Sequence, residues 1–92
     1  MTATVRKTLK IVNEKGLHAR ASAKFVEVVE AHDASAEVSK DGVSASGDSI
    51  MGLLMLAASK GTSIEVETSG PEAGKLADAL EALVQDRFGE DN

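Results

Sequence analysis

The sequence predicts an α+β domain in which a four-stranded antiparallel sheet is covered on one face by three helices. Four segments alternate apolar and polar residues with a period near two, which is typical of half-buried strands. Three other segments carry apolar residues at helical spacing. The order is β-α-β-β-α-β-α, and β-α-β units split by other strands indicate an antiparallel sheet with its helices on one face.

The size and charge of the chain narrow the classes of function. Its 92 residues are enough for one domain and leave no room for a second core. With 15 acidic and 10 basic side chains the net charge is −5, which does not suit nucleic-acid binding because phosphate contacts need clustered bases. Most of the bases lie in the first half, so we expect an anion or an acidic partner protein to dock there.

The chain contains no cysteine and no long apolar run. Without cysteine there is no disulfide and no thiolate metal site, which fits the cytosol. No apolar run reaches the roughly 18–20 residues of a membrane span, and the N-terminus lacks the apolar region of a secretory signal. We therefore expect a cytoplasmic protein without a membrane span.

The first part of the chain predicts a strand, a turn and a helix around His18. Residues 4–12 alternate, although Lys7 breaks the pattern, and a turn follows in which Gly16 can take a positive φ. From residue 19 to about 31 the period becomes helical, which places His18 at or next to the N-cap. The expected buried stripe of this helix is Ala19, Ala23, Phe25, Val26 and Val29.

The remaining strands are predicted at residues 34–39, 43–46 and 63–68. Asp41-Gly42 is a strong signal for the turn of a hairpin. If the last strand neighbours the first, basic side chains on one outer face can pair with acidic side chains on the other. The side chains expected to do so are Arg6 and Lys10, with Glu65 and Glu67.

The second and third helices are expected at residues 50–60 and 72–87. Asp48 or Ser49 can cap the second helix. This helix is apolar on nearly every side, so part of it should be exposed, and exposed clusters that contain methionine suit docking to several partners. The residues expected at this surface are Ile50, Met51 and Leu54. After the third helix, residues 90–92 should form a frayed acidic tail.

His18 is the candidate for chemistry. Near neutral pH an imidazole is a nucleophile, and at a helix start an attached anion would meet unpaired N–H groups and the positive end of the dipole. Arg20 can offer a forked donor to phosphate oxygens. We therefore interpret His18 as a covalent phosphate carrier. His32 falls at the far end of the same helix, so a shared metal site is not expected, and no cofactor is predicted.

Two segments of the chain resemble the histidine-containing phosphocarrier proteins (HPr) of the phosphoenolpyruvate phosphotransferase system. The first is Gly16-Leu17-His18-Ala19-Arg20, and the second is residues 49–56, Ser-Ile-Met-Gly-Leu-Leu-Met-Leu, followed by Lys60-Gly61. The resemblance covers nearly the whole chain. It implies a single HPr-like domain over residues 1–92, an open-faced β-sandwich, which acts as a phosphocarrier and not as an enzyme.

The resemblance also implies roles and partners. The phosphorylated histidine falls on His18, the phosphate-contacting arginine on Arg20 and a regulatory serine on Ser49. Enzyme I would supply the phosphoryl group and an EIIA-type protein would accept it, with an HPr kinase/phosphorylase as a candidate partner for the serine. A monomer is the simplest form for such a carrier. The docking surface would comprise Leu17, Ile50, Met51 and Leu54.

One position departs from the family pattern, and one question of function stays open. The family usually has proline after the arginine, where this chain has Ala21. Alanine allows the same helix but fixes its start less firmly, so we expect slightly looser geometry around His18 without loss of function. The phosphate could serve sugar uptake or a nitrogen-related regulatory branch. The acidic C-terminus and the run Leu53-Leu54-Met55-Leu56 favour the regulatory branch.

Two other interpretations remain. Gly47-Asp48-Ser49-Ile50 resembles the phosphopantetheine attachment site of acyl carrier proteins, which are also small and acidic. Acyl carriers are helical bundles, however, whereas four alternating segments predict strands here. A plain ligand-binding α/β module is the second alternative, and it would take no phosphate on His18.

Overall fold

The computed structural model describes residues 3–92, which form a four-stranded antiparallel sheet and three helices. The strands are β1 (Ala3–Lys10), β2 (Ser35–Lys40), β3 (Val43–Ser46) and β4 (Ser63–Gly70). The helices are α1 (Ala19–Glu30), α2 (Ile50–Met55) and α3 (Ala73–Gln85), followed by a 3-10 turn, Arg87–Gly89. The strand order is β1-β4-β2-β3, and each neighbouring pair is antiparallel. The predicted fold class and element order are confirmed.

The core lies between one face of the sheet and the helices. Alternate strand residues turn inward, as the period of two requires. Helix α3 packs along β1 and β4, and α1 packs against α2 and α3. The largest fully buried apolar side chains are Phe25, Phe88, Ile11, Leu53, Ile64, Leu76 and Leu80.

Strand β1 carries charges on both of its faces. On the outer face Arg6 lies opposite Glu67 and pairs with it, as predicted, whereas Lys10 lies opposite Ser63. Lys7 points to the other face, where its Nζ lies 3.0 Å from Glu81 Oε1 in helix α3. The hydrogen bonds from Lys7 to Glu81 and to a neighbouring aspartate raise the pKa of this lysine. Lys7 therefore breaks the alternation of the strand because it forms an ion pair with helix α3.

The buried face of α1 is rotated relative to the prediction. Ala21 and Ser22 are fully buried, whereas Ala19 is exposed and Ala23 is half-buried. The predicted stripe is thus wrong at two positions, and its other three residues are buried as expected. Ser22 can be buried because its hydroxyl donates to the carbonyl oxygen of Leu17 at 3.4 Å.

Helix α2 ends at Met55 and not at Lys60, so its predicted length is wrong. The amides of Leu56 and Ala57 bond to carbonyl oxygens three residues earlier, at 3.2 and 3.1 Å. Ala57 then adopts a left-handed conformation with φ 52°, which stops the helix. The apolar run gives no signal for this stop, because Leu56 and Ala58 remain buried after the helix has ended.

The C-terminal residues do not form the frayed tail predicted. Arg87 and Phe88 both adopt left-handed conformations with φ 55°, which turns the chain back after α3. Phe88 is fully buried, and Lys24 Nζ donates to its carbonyl oxygen at 2.6 Å. The buried phenyl ring and this hydrogen bond hold the segment in place and bring Glu90 to His18.

Candidate functional site

His18 is the N-cap of helix α1, as predicted. Its backbone is extended, with φ −80° and ψ −176°, and its carbonyl oxygen accepts the first helical hydrogen bond from Ser22 N at 2.8 Å. Its ring nitrogen Nδ1 accepts a hydrogen bond from Arg20 N at 3.3 Å. Nδ1 therefore lies beside the amides of the first turn, at the positive end of the helix dipole.

A tight turn before the helix fixes the position of His18. Gly16 has φ 65°, and a Cβ atom at this position would lie 2.4 Å from the carbonyl oxygen of Ala58. Leu17 N donates to the same oxygen at 2.8 Å. The segment after α2 is thus bonded to the turn that carries His18, and the close approach requires glycine.

Leu17 does not belong to the exposed surface. Its side chain is only 4% exposed and packs in the core cluster. The sequence analysis placed it on the docking surface, and that assignment is wrong. An apolar side chain beside a functional residue gains more free energy in the core than in water, and here the bond from its amide to Ala58 holds it there.

A carboxylate that the sequence analysis missed lies against His18. His18 Nε2 is hydrogen-bonded to Glu90 Oε2, and Asn13 Nδ2 donates to Glu90 Oε1 at 3.1 Å. Burial raises the pKa of Glu90, but the hydrogen bonds of His18 and Asn13 and the charge of Lys15 outweigh it, so the pKa lies below the ordinary value. His18 and Glu90 are 72 residues apart, so no local pattern could reveal the pair.

The two partners of the His18 ring distinguish its nitrogens. An ionised carboxylate only accepts hydrogen bonds, so Nε2 carries the ring proton toward Glu90. Nδ1 accepts a hydrogen bond from Arg20 N, so it carries no proton and has a lone pair directed toward the helix start. The nucleophilic nitrogen is thus Nδ1, on the side of the ring that faces the helix start.

A surface cleft of about 370 Å³ opens beside His18. Basic side chains from Lys15, Arg20 and Lys24 line it, together with the acidic side chains of Glu14, Glu90 and Asp91. Arg20 is exposed and forms no ion pair with any side chain of residues 3–92. Its guanidinium is therefore available to bind an anion held at the ring.

Ser49 caps helix α2, as the sequence predicts. Its backbone is extended, and its Oγ accepts a hydrogen bond from Gly52 N at 3.0 Å. The side chain is half-buried. The hydroxyl therefore lies at the N-terminus of α2, next to the apolar surface of that helix.

Helix α2 presents an apolar surface to solvent. Ile50 and Met51, which the sequence analysis proposed, are 40% and 70% exposed, and Leu54 is half-buried. Met55 is 76% exposed and was missed, although its position one helical turn after Met51 is a signal that could have found it. The segment that follows α2 is bonded to the turn that carries His18, since Leu17 N donates to the carbonyl oxygen of Ala58.

The other titratable candidates do not join the site. His32 lies beyond the C-terminus of α1, with its Nδ1 2.7 Å from the carbonyl oxygen of Val28, at the opposite end of the helix from His18. Among residues 3–92 no group of three or more histidine and acidic side chains is arranged to hold a metal ion. In the same range no helix is long and apolar enough to cross a membrane.

Known proteins share both the sequence and the fold. Residues 5–86 match the family model described as "PTS HPr component phosphorylation site". The phosphocarrier protein HPr of Neisseria meningitidis is 43% identical over 86 residues, which cover 94% of this chain and 97% of the relative. The phosphocarrier protein NPr of Escherichia coli K12 is 39% identical over 89 residues, covering 96% and 99%.

A solved structure shows the same arrangement of strands and helices. HPr from Thermoanaerobacter tengcongensis aligns with a TM-score of 0.90 at 32% identity, covering 96% of this chain and 99% of that one. A small open-faced β-sandwich with a histidine at a helix N-terminus defines a phosphocarrier protein. The chain belongs to the HPr family of phosphocarriers of the phosphotransferase system.

Proposed function

We propose that His18 Nδ1 accepts a phosphoryl group from phosphorylated enzyme I and passes it to an EIIA-type protein. The observation that carries this proposal is the position of Nδ1, which faces the start of α1 while Nε2 holds its proton against Glu90. We infer that residues 1–92 act as one monomeric domain in the cytoplasm. The chain is a substrate of each partner and not an enzyme.

The residues around Nδ1 match the needs of phosphoryl transfer. Attack by the lone pair of Nδ1 forms the N–P bond, while the bond from phosphorus to the donor breaks and its electron pair leaves with the donor. The amides of residues 19–21 precede the first helical hydrogen bond, so they can bind phosphoryl oxygens, and Arg20 N does so after it releases the Nδ1 lone pair for the N–P bond. The Arg20 guanidinium adds a positive charge and two parallel donors.

Docking is assigned to the exposed surface of α2, the helix whose following segment is bonded to the turn carrying His18. Ile50, Met51 and Met55 supply its exposed apolar area, and Leu54 lies half-buried among them. Methionine side chains are flexible and polarisable, which suits a surface that must bind a donor and then an acceptor.

Ser49 is proposed as a regulatory phosphorylation site for an HPr kinase/phosphorylase. A phosphate here would be locally favourable because Ser49 is the N-cap of α2. It would also place about two negative charges beside an apolar docking surface. The modification therefore weakens docking while the fold is kept.

The branch of the phosphotransferase system is decided by the acceptor. The sequence argument for the nitrogen-related branch relied in part on the run from Leu53 to Leu56, but both of these leucines are buried in the core. Leu54 is half-buried and Met55 is exposed, so the run is divided between core and surface and favours neither branch, and the proposal covers both. Rates of transfer from the phosphorylated protein to a purified EIIA of each branch distinguish them, since the physiological acceptor reacts faster.

The test of the proposed function is phosphorylation by phosphoenolpyruvate and enzyme I. We expect an acid-labile, alkali-stable phosphate on the wild type that is lost in His18→Ala and kept in the control His32→Ala. A wild type that takes no label contradicts the proposal. Intact mass after expression checks the acyl-carrier alternative, because a phosphopantetheine adduct on Ser49 would establish it. The four-stranded sheet already differs from the helical bundle of that class.

A further inference from the structure

We propose that Glu90 is a positioning residue for phosphoryl transfer, whose carboxylate holds the Nε2 proton of His18 and stabilises the positive charge that the ring gains when Nδ1 is phosphorylated. The inference rests on the proposed function of His18. It assigns a role in the reaction to the last residues of the chain, which follow the final helix.

The carboxylate of Glu90 is fixed at both of its oxygens. Oε2 contacts His18 Nε2, and Oε1 accepts from Asn13 Nδ2 at 3.1 Å. Asn13 is fully buried, and the same nitrogen donates to the carbonyl oxygen of Gly16 at 2.8 Å. One buried amide therefore links the carboxylate to the turn that places His18, so ring and carboxylate keep their relative position.

The backbone before Glu90 is built to bring it back to the site. Arg87 and Phe88 adopt left-handed conformations that cost free energy for side chains other than glycine. Full burial of Phe88 and the hydrogen bond from Lys24 Nζ to its carbonyl oxygen offset this cost. The final residue is also held, because Glu14 N donates to Asn92 O at 3.2 Å. The segment is thus an ordered part of the site.

The charges around Glu90 keep it ionised at neutral pH. Lys15, Arg20 and Lys24 line the same cleft, and they outnumber the other acidic side chains there, Glu14 and Asp91. The net effect of His18, Asn13 and Lys15 is a lowered pKa for Glu90 in spite of its burial. An ionised carboxylate is the form that can accept a hydrogen bond from Nε2–H and balance the charge of a cationic ring.

The chemistry requires such a partner on the side of the ring opposite the phosphoryl group. When the Nδ1 lone pair forms the N–P bond, the donor leaves with its own electron pair, and the ring, which retains the Nε2 proton, becomes an imidazolium. Its charge is shared between both nitrogens. The carboxylate lies next to Nε2, so it stabilises the positive charge of the ring both in the transition state and in the phosphorylated product. The same step runs backward during transfer to the acceptor.

The test compares Glu90→Gln with Asp86→Asn, which removes the same charge from an exposed residue at the end of α3. Glutamine keeps the size of the side chain and removes the charge. The kinetic constants are those of enzyme I with each variant as its phosphoryl acceptor. We expect Glu90→Gln to lower this kcat about tenfold. We expect KM for the variant to stay within about twofold of the wild-type value, because the docking surface lies on α2. Asp86→Asn should match the wild type, and Glu90→Asp, which restores a carboxylate, should recover part of the loss.

A second measurement separates this role from a merely structural one. A phosphorylated ring that carries a proton on Nε2 is a better leaving group than one that does not. Because the Glu90 carboxylate keeps this proton on Nε2, it should speed hydrolysis of the N–P bond. We therefore expect phosphorylated Glu90→Gln to hydrolyse severalfold more slowly at pH 7 than the wild type. If Glu90 only held the C-terminal segment over the site, its loss would admit water and hydrolysis would be faster.

The outcomes are distinct. Lower kcat with slower hydrolysis supports the inference, whereas wild-type kinetics in Glu90→Gln, or faster hydrolysis, overturns it while the proposed function stands. A wild type that accepts no phosphoryl group overturns the proposed function and the inference together. Circular dichroism and urea unfolding check that each variant is folded under the conditions in which its kinetics are measured.

Discussion

The two nitrogens of the His18 ring have different partners, and this difference assigns the chemistry. Nε2 is hydrogen-bonded to Glu90, and Nδ1 accepts from Arg20 N at the start of α1. The lone pair of Nδ1 is therefore directed to the side where helix amides and the Arg20 guanidinium would meet phosphoryl oxygens. At the scale of single residues, the proposed function depends on a ring with a hydrogen bond at each nitrogen.

Replacing Arg20 should slow phosphoryl transfer without unfolding the protein. Arg20 is exposed and has no ion pair within residues 3–92, so Arg20→Ala should change the free energy of unfolding by less than about 0.5 kcal/mol. We expect the rate of transfer from enzyme I to fall roughly 10- to 100-fold because a charge-assisted forked donor is lost. Arg20→Lys should recover only part of the rate, since lysine offers a point charge.

The control for Arg20 is Lys75→Ala, an exposed base on α3. Rates are measured by quenched-flow labelling from phosphorylated enzyme I. A wild-type rate in Arg20→Ala would show that Arg20 does not contribute to transfer. An equal loss of rate in Lys75→Ala would show that only the overall charge of the protein matters.

Glu90 should make stability depend on pH in the acid range. Its folded-state pKa is lowered, so its contribution is present above the ordinary carboxyl value of 4.5 and is lost as pH falls through the folded-state value. Glu90→Gln should therefore be less stable than the wild type at pH 7, with the difference shrinking below pH 4.5. Urea unfolding at several pH values measures this. A difference that stays constant with pH would mean that the carboxylate is not stabilised in the folded state.

Among single residues, those with a local signal could be predicted from the sequence, and those set by distant contacts could not. His18 and Ser49 stand where a strand or loop gives way to a helical period, and both are the N-caps expected. Leu17 is apolar and next to His18, which is equally compatible with a docking role and with the core, and it is buried. Glu90 is brought to the site by a turn whose conformation depends on the burial of Phe88.

At the scale of elements, the site depends on the contact between the turn before α1 and the segment after α2. Leu17 N donates to the carbonyl oxygen of Ala58, and Gly16 approaches that oxygen too closely for any Cβ atom. The turn that carries His18 and the helix with the exposed methionines are thereby joined. A change at this contact should alter both stability and transfer.

Gly16→Ala tests this contact, with Gly42→Ala as its control. Both glycines have positive φ, but a Cβ on Gly42 would meet nothing within 4 Å, whereas one on Gly16 would collide with backbone. We expect Gly42→Ala to cost about 1 kcal/mol in unfolding free energy and Gly16→Ala about 2–4 kcal/mol. Only Gly16→Ala should also slow phosphoryl transfer. Equal costs in urea unfolding would show that the close approach does not constrain the turn.

The elements themselves were predictable where their period was uniform. Strand β4 and the Asp41-Gly42 hairpin appear where alternation and turn chemistry place them. The end of α2 was not predictable, because Leu56 and Ala58 are buried although the helix has ended, and the left-handed Ala57 between them has no sequence marker. The stripe of α1 was misplaced by the small residues at its start, which fit the core and the surface equally well.

At the scale of the whole molecule, the proposed phosphoryl site and the exposed apolar surface of α2 are connected through the bond between Leu17 and Ala58. Met51 and Met55 are the most exposed large apolar side chains of the described chain, and they lie on the helix whose end contacts the turn before His18. The cleft beside His18 carries basic side chains from Lys15, Arg20 and Lys24 within a chain whose net charge is acidic, and Glu90 is one of the acidic side chains that also line it. A partner can therefore bind through apolar contacts while its phosphoryl group meets positive charge.

Charge on the docking surface should weaken partner binding. We expect Met51→Asp with Met55→Asp to reduce affinity for enzyme I at least tenfold by calorimetry, because two carboxylates would be desolvated in the complex. The control is Val43→Asp, which is 51% exposed on β3, outside α2. Unchanged affinity in the double variant would place the interface on another face.

Ser49→Asp should mimic a regulatory phosphate in part. We expect a smaller loss of affinity than in the methionine double variant, about two- to tenfold, since one charge stands beside the apolar surface and not within it. The matched control is Ser44→Asp, an exposed serine on β3. Equal effects of the two variants in calorimetry would indicate net charge as the cause and count against regulation at Ser49.

The most direct test of the central assignment is nitrogen-15 and phosphorus-31 NMR of the protein after phosphorylation by enzyme I. The geometry predicts one phosphorus coupled to Nδ1 of His18, with the proton retained on Nε2 beside Glu90. Coupling to Nε2, phosphate on His32 or Ser49, or no N–P bond at all would contradict the account.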